Sequence, residues 1–167
     1  MGRYFNPEEV KLAATAFRNA EQLAGRHFRM KPEAVRSICY DVKTLAWLEE
    51  HEVRDGAFAH LCKYGYEDGY FYRICLQDHR ILDAVSRAHS FIKLSPLMLY
   101  IAAHELVHVI RFDRGEADFD GTPEEKLKEE EKVHSITGAM LQSCMTGDLK
   151  LVLDCFSDRY KIGDFQG

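Results

Sequence analysis

The spacing of hydrophobic residues predicts a helix at the start of the chain. Hydrophobic side chains recur at helical intervals at Val10, Leu12, Ala13, Phe17 and Leu23. Ahead of them, Asn6, Pro7 and Glu9 supply an N-cap, a first-turn proline and the glutamate of a capping box. The helix should therefore begin at Pro7 and end near Gly25. The pattern over residues 32–45 is mixed, because it opens like a helix and continues with the alternation of a strand, and we leave it open.

Two short runs of aromatic, β-branched and other apolar residues predict a β-hairpin. They extend from Phe58 to Tyr64 and from Tyr70 to Leu76, and the segment Gly-Tyr-Glu-Asp-Gly separates them. Glycine and acidic residues between two apolar runs are typical of a turn that joins antiparallel strands.

Helical patterns fill most of the second half of the chain. Ser95 and Pro96 predict a cap and a first-turn proline for a helix through about Phe112, followed by a polar, acidic loop to Gly121. The Thr-x-x-Glu capping box at Thr122 then predicts a helix that runs to Gly147. A last helix is expected from Asp148 to about Tyr160. Helices on both sides of one hairpin indicate an α+β fold, and the absence of repeats or linkers indicates a single domain over residues 1–167.

Composition and charge exclude several classes of protein. The chain is 46% hydrophobic and 29% charged, which is typical of a globular domain and not of a disordered one. Its net charge of −5 lacks the basic surface that nucleic-acid binding requires, so we expect no nucleic-acid partner. The longest apolar window, from Leu97 to Ala103, is too short to span a membrane, and the first residues do not resemble a signal peptide. Five cysteines without a CxxC pair are expected to be reduced core thiols in a cytoplasmic protein.

The helix predicted from Pro96 to Ile110 carries the strongest chemical pattern. It is apolar on nearly every side, and apart from one tyrosine hydroxyl its polar side chains are those of His104, Glu105 and His108. At about 100° per residue, these three side chains share one sector of the helix. Buried imidazole and carboxylate groups need partners, and a metal ion bound by two histidines at i and i+4 would supply one.

A catalytic zinc ion requires a third protein ligand, and the following helix offers one. Glu130 falls in the middle of the apolar face of that helix, whereas Glu129 belongs to the outer face and is expected to be solvated. A carboxylate that faces the core needs a cation. His134, one turn later, faces the same interior, where it could orient Glu130 from the second shell or bind the metal itself; we favour the second shell.

An HExxH sequence followed by Glu130 and His134 on the next helix resembles the zincin metallopeptidases of the gluzincin type. In thermolysin-like enzymes, the CAAX-processing and heat-shock membrane proteases and the ImmA/IrrE-type peptidases, the third zinc ligand is a glutamate on the helix after HExxH. The resemblance implies that His104, His108 and Glu130 bind Zn²⁺ and that Glu105 is the general base. It also implies a zincin-like fold, in which an antiparallel sheet packs against the active-site helix with further helices flanking it and its edge strand can hold an extended peptide.

These expectations describe a zinc-dependent hydrolase, a metallopeptidase acting on a peptide or protein substrate. A zinc-bound water, activated by Glu105, would attack a peptide carbonyl, and Glu105 would pass the proton to the leaving amine. Such a reaction also needs a donor to the developing oxyanion. The sequence offers candidates without choosing among them: Arg73, His79, His89 and Arg111.

Two other functions use the same residues. Glu105-x-x-His108 and Glu131-x-x-His134 form the paired motif of di-iron carboxylate bundles, for which further carboxylates could come from Glu9, Glu21, Glu49 or Glu50. Against this, a hairpin interrupts the bundle and His104 would have no role. The second alternative is a non-catalytic, zinc-containing binding or regulatory module, in which His134 closes the coordination sphere.

Overall fold

The computed structural model describes residues 3–88, 91–156 and 163–164, the last two by their backbone alone. The helices of this part of the chain are α1 (Pro7–His27), α2 (Pro32–Arg36), α3 (Asp78–Arg87), α4 (Leu94–Asp113), α5 (Pro123–Leu141) and α6 (Gly147–Phe156). The strands are β1 (Tyr40–Lys43), β2 (Ala59–Tyr66), β3 (Gly69–Leu76) and β4 (Gly163–Asp164). Short 3₁₀ turns occupy Leu45–Trp47, Glu50–Glu52 and Gln142–Cys144. The predicted α+β class is confirmed.

The sheet has the strand order β1-β3-β2-β4. The predicted hairpin is present, because β2 and β3 pair antiparallel from Ala59 opposite Leu76 to Tyr66 opposite Gly69. The strands are longer than predicted and leave only Glu67 and Asp68 in the turn. We expected an antiparallel sheet, and this is wrong for the two outer strands. The sheet is mixed, because β1 pairs parallel to β3 and β4 parallel to β2.

Local capping sequences fix the starts of two helices where we predicted them. Asn6 and Glu9 form the reciprocal capping box of α1, and Thr122 and Glu125 form that of α5. The segment with the mixed pattern, which we left open, contains a helix followed by a strand, since α2 begins at Pro32 and β1 follows it.

Other boundaries differ from the prediction. The N-cap of α4 is Lys93 and not Ser95, and Pro96 still lies in the first turn, where a missing N–H leaves no hydrogen bond unmade. The helix α5 ends at Leu141 and passes into a 3₁₀ turn instead of continuing to Gly147. The predicted end of the last helix, Tyr160, lies outside the described residues.

The helix α4 is the centre of the hydrophobic core. It packs against α1, α5 and α6 and, through β2, against the sheet. Its side chains are buried around the whole circumference, as its sequence predicted. The inner face of the sheet contributes Leu61, Tyr72 and Ile74 to the same cluster. The polar side chains of the central part of α4 therefore lie in the interior, where few water molecules compete for their hydrogen bonds.

Among the described helices, none combines the length and apolarity needed to cross a lipid bilayer.

The cysteines are free thiols, but only Cys62 and Cys75 are buried. The expectation of core thiols is wrong for the three exposed cysteines, which are Cys39, Cys144 and Cys155.

Candidate metal centre

The two histidines of the HExxH sequence lie side by side in the core. His104 and His108 are both almost completely inaccessible to solvent, and their ring centroids are 5.1 Å apart. One helical turn separates them, so that both rings leave α4 on the side that faces α5. The structure thus places both imidazoles between two packed helices.

Glu130 completes the group from α5. Its Oε2 lies 3.2 Å from Nε2 of His104, and its Oε1 lies 3.1 Å from Nε2 of His108. One ligand atom from each of the three residues falls within 4.8 Å of the other two. Two imidazole nitrogens and a carboxylate oxygen are the donor set of many catalytic zinc sites, so these residues fit the metal that the sequence implied.

The charge state of Glu130 is set by its surroundings. Burial raises the pKa of this carboxyl group, but the charges of His108 and His104 and the hydrogen bond with His104 outweigh it and lower the pKa to about 2. The carboxylate is therefore ionised at neutral pH although only 8% of the residue is exposed. A buried carboxylate with two imidazoles against it requires positive charge, from protonated histidine or from a bound cation.

Glu105, the predicted general base, is completely buried. It follows His104 directly on α4 and does not belong to the converging group of ligand atoms in the described part of the chain. A carboxylate of this kind is unusual in a protein core and is retained where it has a polar partner.

His134 lies beside the site and outside the converging group. Its Nδ1 is 2.8 Å from the hydroxyl of Tyr100. Burial and the proximity of His104 lower the pKa of His134, while Glu130 opposes them. The pKa of His134 therefore depends on the charges of both His104 and Glu130.

Tyr100 is a neighbour of the site to which our sequence analysis gave no role. It is fully buried on α4, one turn before His104, and its ring packs edge-on against that histidine. Burial and the charge of Glu130 raise the pKa of its phenol. The four-residue spacing from His104 is the sequence signal that could have identified it.

The expectation that Glu129 is solvated is wrong. Only 9% of the residue is exposed, because Arg111 reaches it from α4 with Nε at 2.7 Å from Oε2 and Nη2 at 2.9 Å from Oε1. A buried carboxylate is tolerated when a guanidinium pairs with it in this forked geometry. Arg111 is thereby engaged by Glu129 and, at 3.4 Å, by Glu116.

The remaining candidates for an oxyanion donor have partners of their own. Arg73 pairs with Asp41 at 3.0 Å and with Glu52 at 3.2 Å. His79 lies 3.6 Å from Asp55. His89 lies outside the described residues. The structure does not bring any of the described candidates into the converging group.

The carboxylates considered for a di-iron site are dispersed. Glu131 is exposed on α5. Glu9 accepts the backbone N–H of Asn6, and Glu21 accepts the hydroxyl of Tyr40. Glu49 and Glu50 are exposed at a 3₁₀ turn. This arrangement differs from that of di-iron bundles, in which four carboxylates project into one core.

Comparisons with known proteins give no relative: no protein-family model matches the chain, and neither a curated protein nor a solved structure shows significant similarity to it.

Proposed function

We propose that this protein is a zinc-dependent hydrolase, a metallopeptidase of the zincin-like, gluzincin type. The observation that carries the proposal is the convergence of Nε2 of His104, Nε2 of His108 and the carboxylate of Glu130 between two buried helices. These side chains come from an HExxH sequence and from the next long helix. The combination of buried nitrogen and oxygen ligands with this order along the chain is what the proposal depends on.

His104, His108 and Glu130 would hold the zinc ion. Three protein ligands are the number found in catalytic zinc sites, since a structural site is closed by four. A zinc ion in such a site lowers the pKa of a bound water toward about 7 and polarises a substrate carbonyl. The fold supports the assignment, because the α4 helix packs against a sheet that contains the β2–β3 hairpin.

Glu105 would act as the general base. A carboxylate beside the ligands can accept a proton from the attacking water and return it to the amine that leaves. Its complete burial in a largely apolar helix supports a chemical role. A zinc site that only stabilises the fold has no need of this group.

The first test is metal content by elemental mass spectrometry on the wild type and on Glu105→Gln. We expect one zinc per chain in both, because Glu105 is not a ligand in this proposal. The same samples, incubated with a mixed peptide library, should differ in hydrolysis by about 10²–10⁴-fold, which is the usual contribution of a general base. Glu131→Gln, an exposed glutamate on α5, is the matched control and should keep full activity.

Each alternative has its own result in this experiment. One zinc per chain without hydrolysis of any peptide by the wild type would favour the non-catalytic module. Two iron ions per chain would favour a di-iron protein. A preparation that binds neither metal after incubation with zinc or iron would refute all three.

A further inference from the structure

A second buried ion pair joins the same two helices next to the proposed zinc ligands. Arg111 lies three residues after His108 on α4, and Glu129 directly precedes Glu130 on α5. Two parallel hydrogen bonds of 2.7 and 2.9 Å form between the guanidinium and the carboxylate. The pair is largely shielded from water, since the side chains of Arg111 and Glu129 are 11% and 10% exposed.

Arg111 is itself held in place. Its Nη1 and Nη2 lie 3.4 Å from a carboxylate oxygen and the backbone carbonyl of Glu116, in the segment that follows α4. The guanidinium therefore fixes three parts of the chain at once: the end of α4, the segment after it and one turn of α5. A planar, forked donor of this kind defines direction as well as distance.

We propose that Arg111 is a positioning residue for the metal centre, which acts by fixing through Glu129 the turn of α5 that presents Glu130 to the two histidines. This inference rests on the proposed zinc site. Since Glu129 and Glu130 are consecutive, a shift of one moves the backbone of the other. Groups that orient a metal ligand without touching the metal typically change its affinity by about 10–100-fold when they are lost.

Arg111→Lys tests the inference because lysine keeps the charge and loses the fork. We expect the zinc dissociation constant, measured by competition with a chromogenic chelator, to rise about 10-fold or more. The visible absorption spectrum of the Co²⁺-substituted protein should change as well, because it reports the arrangement of the ligands. Urea unfolding of the metal-free proteins separates these effects from a general loss of stability.

The chain offers a matched control in the sheet. Arg73 makes the same forked contact with Asp41, with two hydrogen bonds of 3.0 Å, and belongs to β3. Arg73→Lys should lower stability and leave the zinc dissociation constant within about 2-fold of the wild type. If Arg111→Lys does not fold, Glu129→Gln removes the same pair with little change in volume and should weaken zinc binding in the same way.

The outcomes separate this inference from the proposed function. Zinc binding weakened by Arg111→Lys or Glu129→Gln but not by Arg73→Lys would support it. Unchanged zinc affinity and an unchanged Co²⁺ spectrum in a folded Arg111 or Glu129 variant would overturn it and leave the zinc site intact. A wild type that binds no zinc would overturn the proposed site and the positioning role together.

Discussion

The hydroxyl of Tyr100 lies 2.8 Å from Nδ1 of His134. Tyr100 precedes His104 by one helical turn on α4, and His134 follows Glu130 by one turn on α5. Polar contacts therefore join the two helices at three successive levels. The Arg111–Glu129 pair is at one end, the two histidines against Glu130 are in the middle, and the Tyr100 contact is at the other end. The proposed ligands thus lie between two polar contacts of α4 with α5, and none of the ligands takes part in either contact.

Tyr100→Phe should destabilise the protein and leave zinc binding unchanged. The substitution keeps the packing of a fully buried ring and deletes a single hydrogen bond, so we expect a loss of about 1 kcal/mol in the free energy of unfolding. Urea unfolding measures this loss, and a double-mutant cycle with His134→Ala gives the coupling between the two side chains.

Metal content in the same variants decides the role of His134. If His134 orients Glu130 without binding the metal, both His134→Ala and Tyr100→Phe should retain one zinc per chain. Loss of zinc from His134→Ala with retention in Tyr100→Phe would make His134 a ligand.

Zinc should stabilise the wild type, and Glu130 should be necessary for this effect. A ligand that binds only the folded state adds about 2.7 kcal/mol to the free energy of unfolding when its free concentration is 100 times its dissociation constant. For a chain of this size that corresponds to a rise of about 5–10 °C in Tm, measurable by circular dichroism with zinc and with a chelator. Glu130→Ala should lose the rise, and Glu131→Ala, altered at an exposed position, should keep it. An equal rise in both variants would contradict the assignment of the third ligand.

The features that could be predicted from sequence depend on residues close together in the chain. The capping boxes at Asn6 and Thr122 were predictable because the cap and its glutamate are three residues apart. The trio of His104, His108 and Glu130 was predictable from helical phase, since each lies among apolar positions of its helix, where a buried polar side chain requires a polar or charged partner. The His–Glu proximity then followed once α4 and α5 packed against each other.

The features that sequence did not predict depend on partners far away in the chain. Helical phase places Glu129 outside, and only the arrival of Arg111 from another helix makes its burial possible. The parallel pairing of β1 with β3 connects Tyr40 with Tyr72, and no local pattern records such a partner. The four-residue spacing places Tyr100 on the side of α4 that carries His104, but the contact of its hydroxyl with His134 depends on another helix.

Thr122→Ala should weaken the start of the helix that carries Glu130. The Thr122 hydroxyl accepts the backbone N–H of Glu125 in the capping box, and loss of such a cap costs about 1 kcal/mol. Ser135→Ala, at an exposed position of the same helix, is the control and should change the free energy of unfolding by less than about 0.5 kcal/mol. Both variants should bind one zinc, because Glu130 lies two turns beyond the cap. A Thr122→Ala protein as stable as the control would show that the start of α5 is held by other contacts.

Glu52 should make the stability of the fold depend on acid pH. This fully buried carboxylate accepts hydrogen bonds from the Tyr64 hydroxyl, from Arg73 at 3.2 Å and from the backbone N–H of Glu49 at 2.9 Å. Burial raises its pKa, but these hydrogen bonds and the charge of Arg73 outweigh it, so that the pKa is lower in the folded than in the unfolded chain. The unfolded chain therefore binds a proton at a higher pH than the folded one, and the stabilisation is present above the unfolded pKa and disappears as the pH falls through the folded value.

Glu52→Gln removes this titration and leaves a side chain of the same size. At pH 7 the variant should be less stable than the wild type by about 2 kcal/mol, the contribution expected of hydrogen bonds to a charged group. The difference should shrink as the pH is lowered from 6 to 3, because the wild-type carboxylate then becomes protonated as well. Urea unfolding at intervals across this range measures the difference, with Glu50→Gln at the exposed neighbouring position as control. A difference that stays constant from pH 7 to pH 3 would contradict the assignment of this stabilisation to the ionised carboxylate of Glu52.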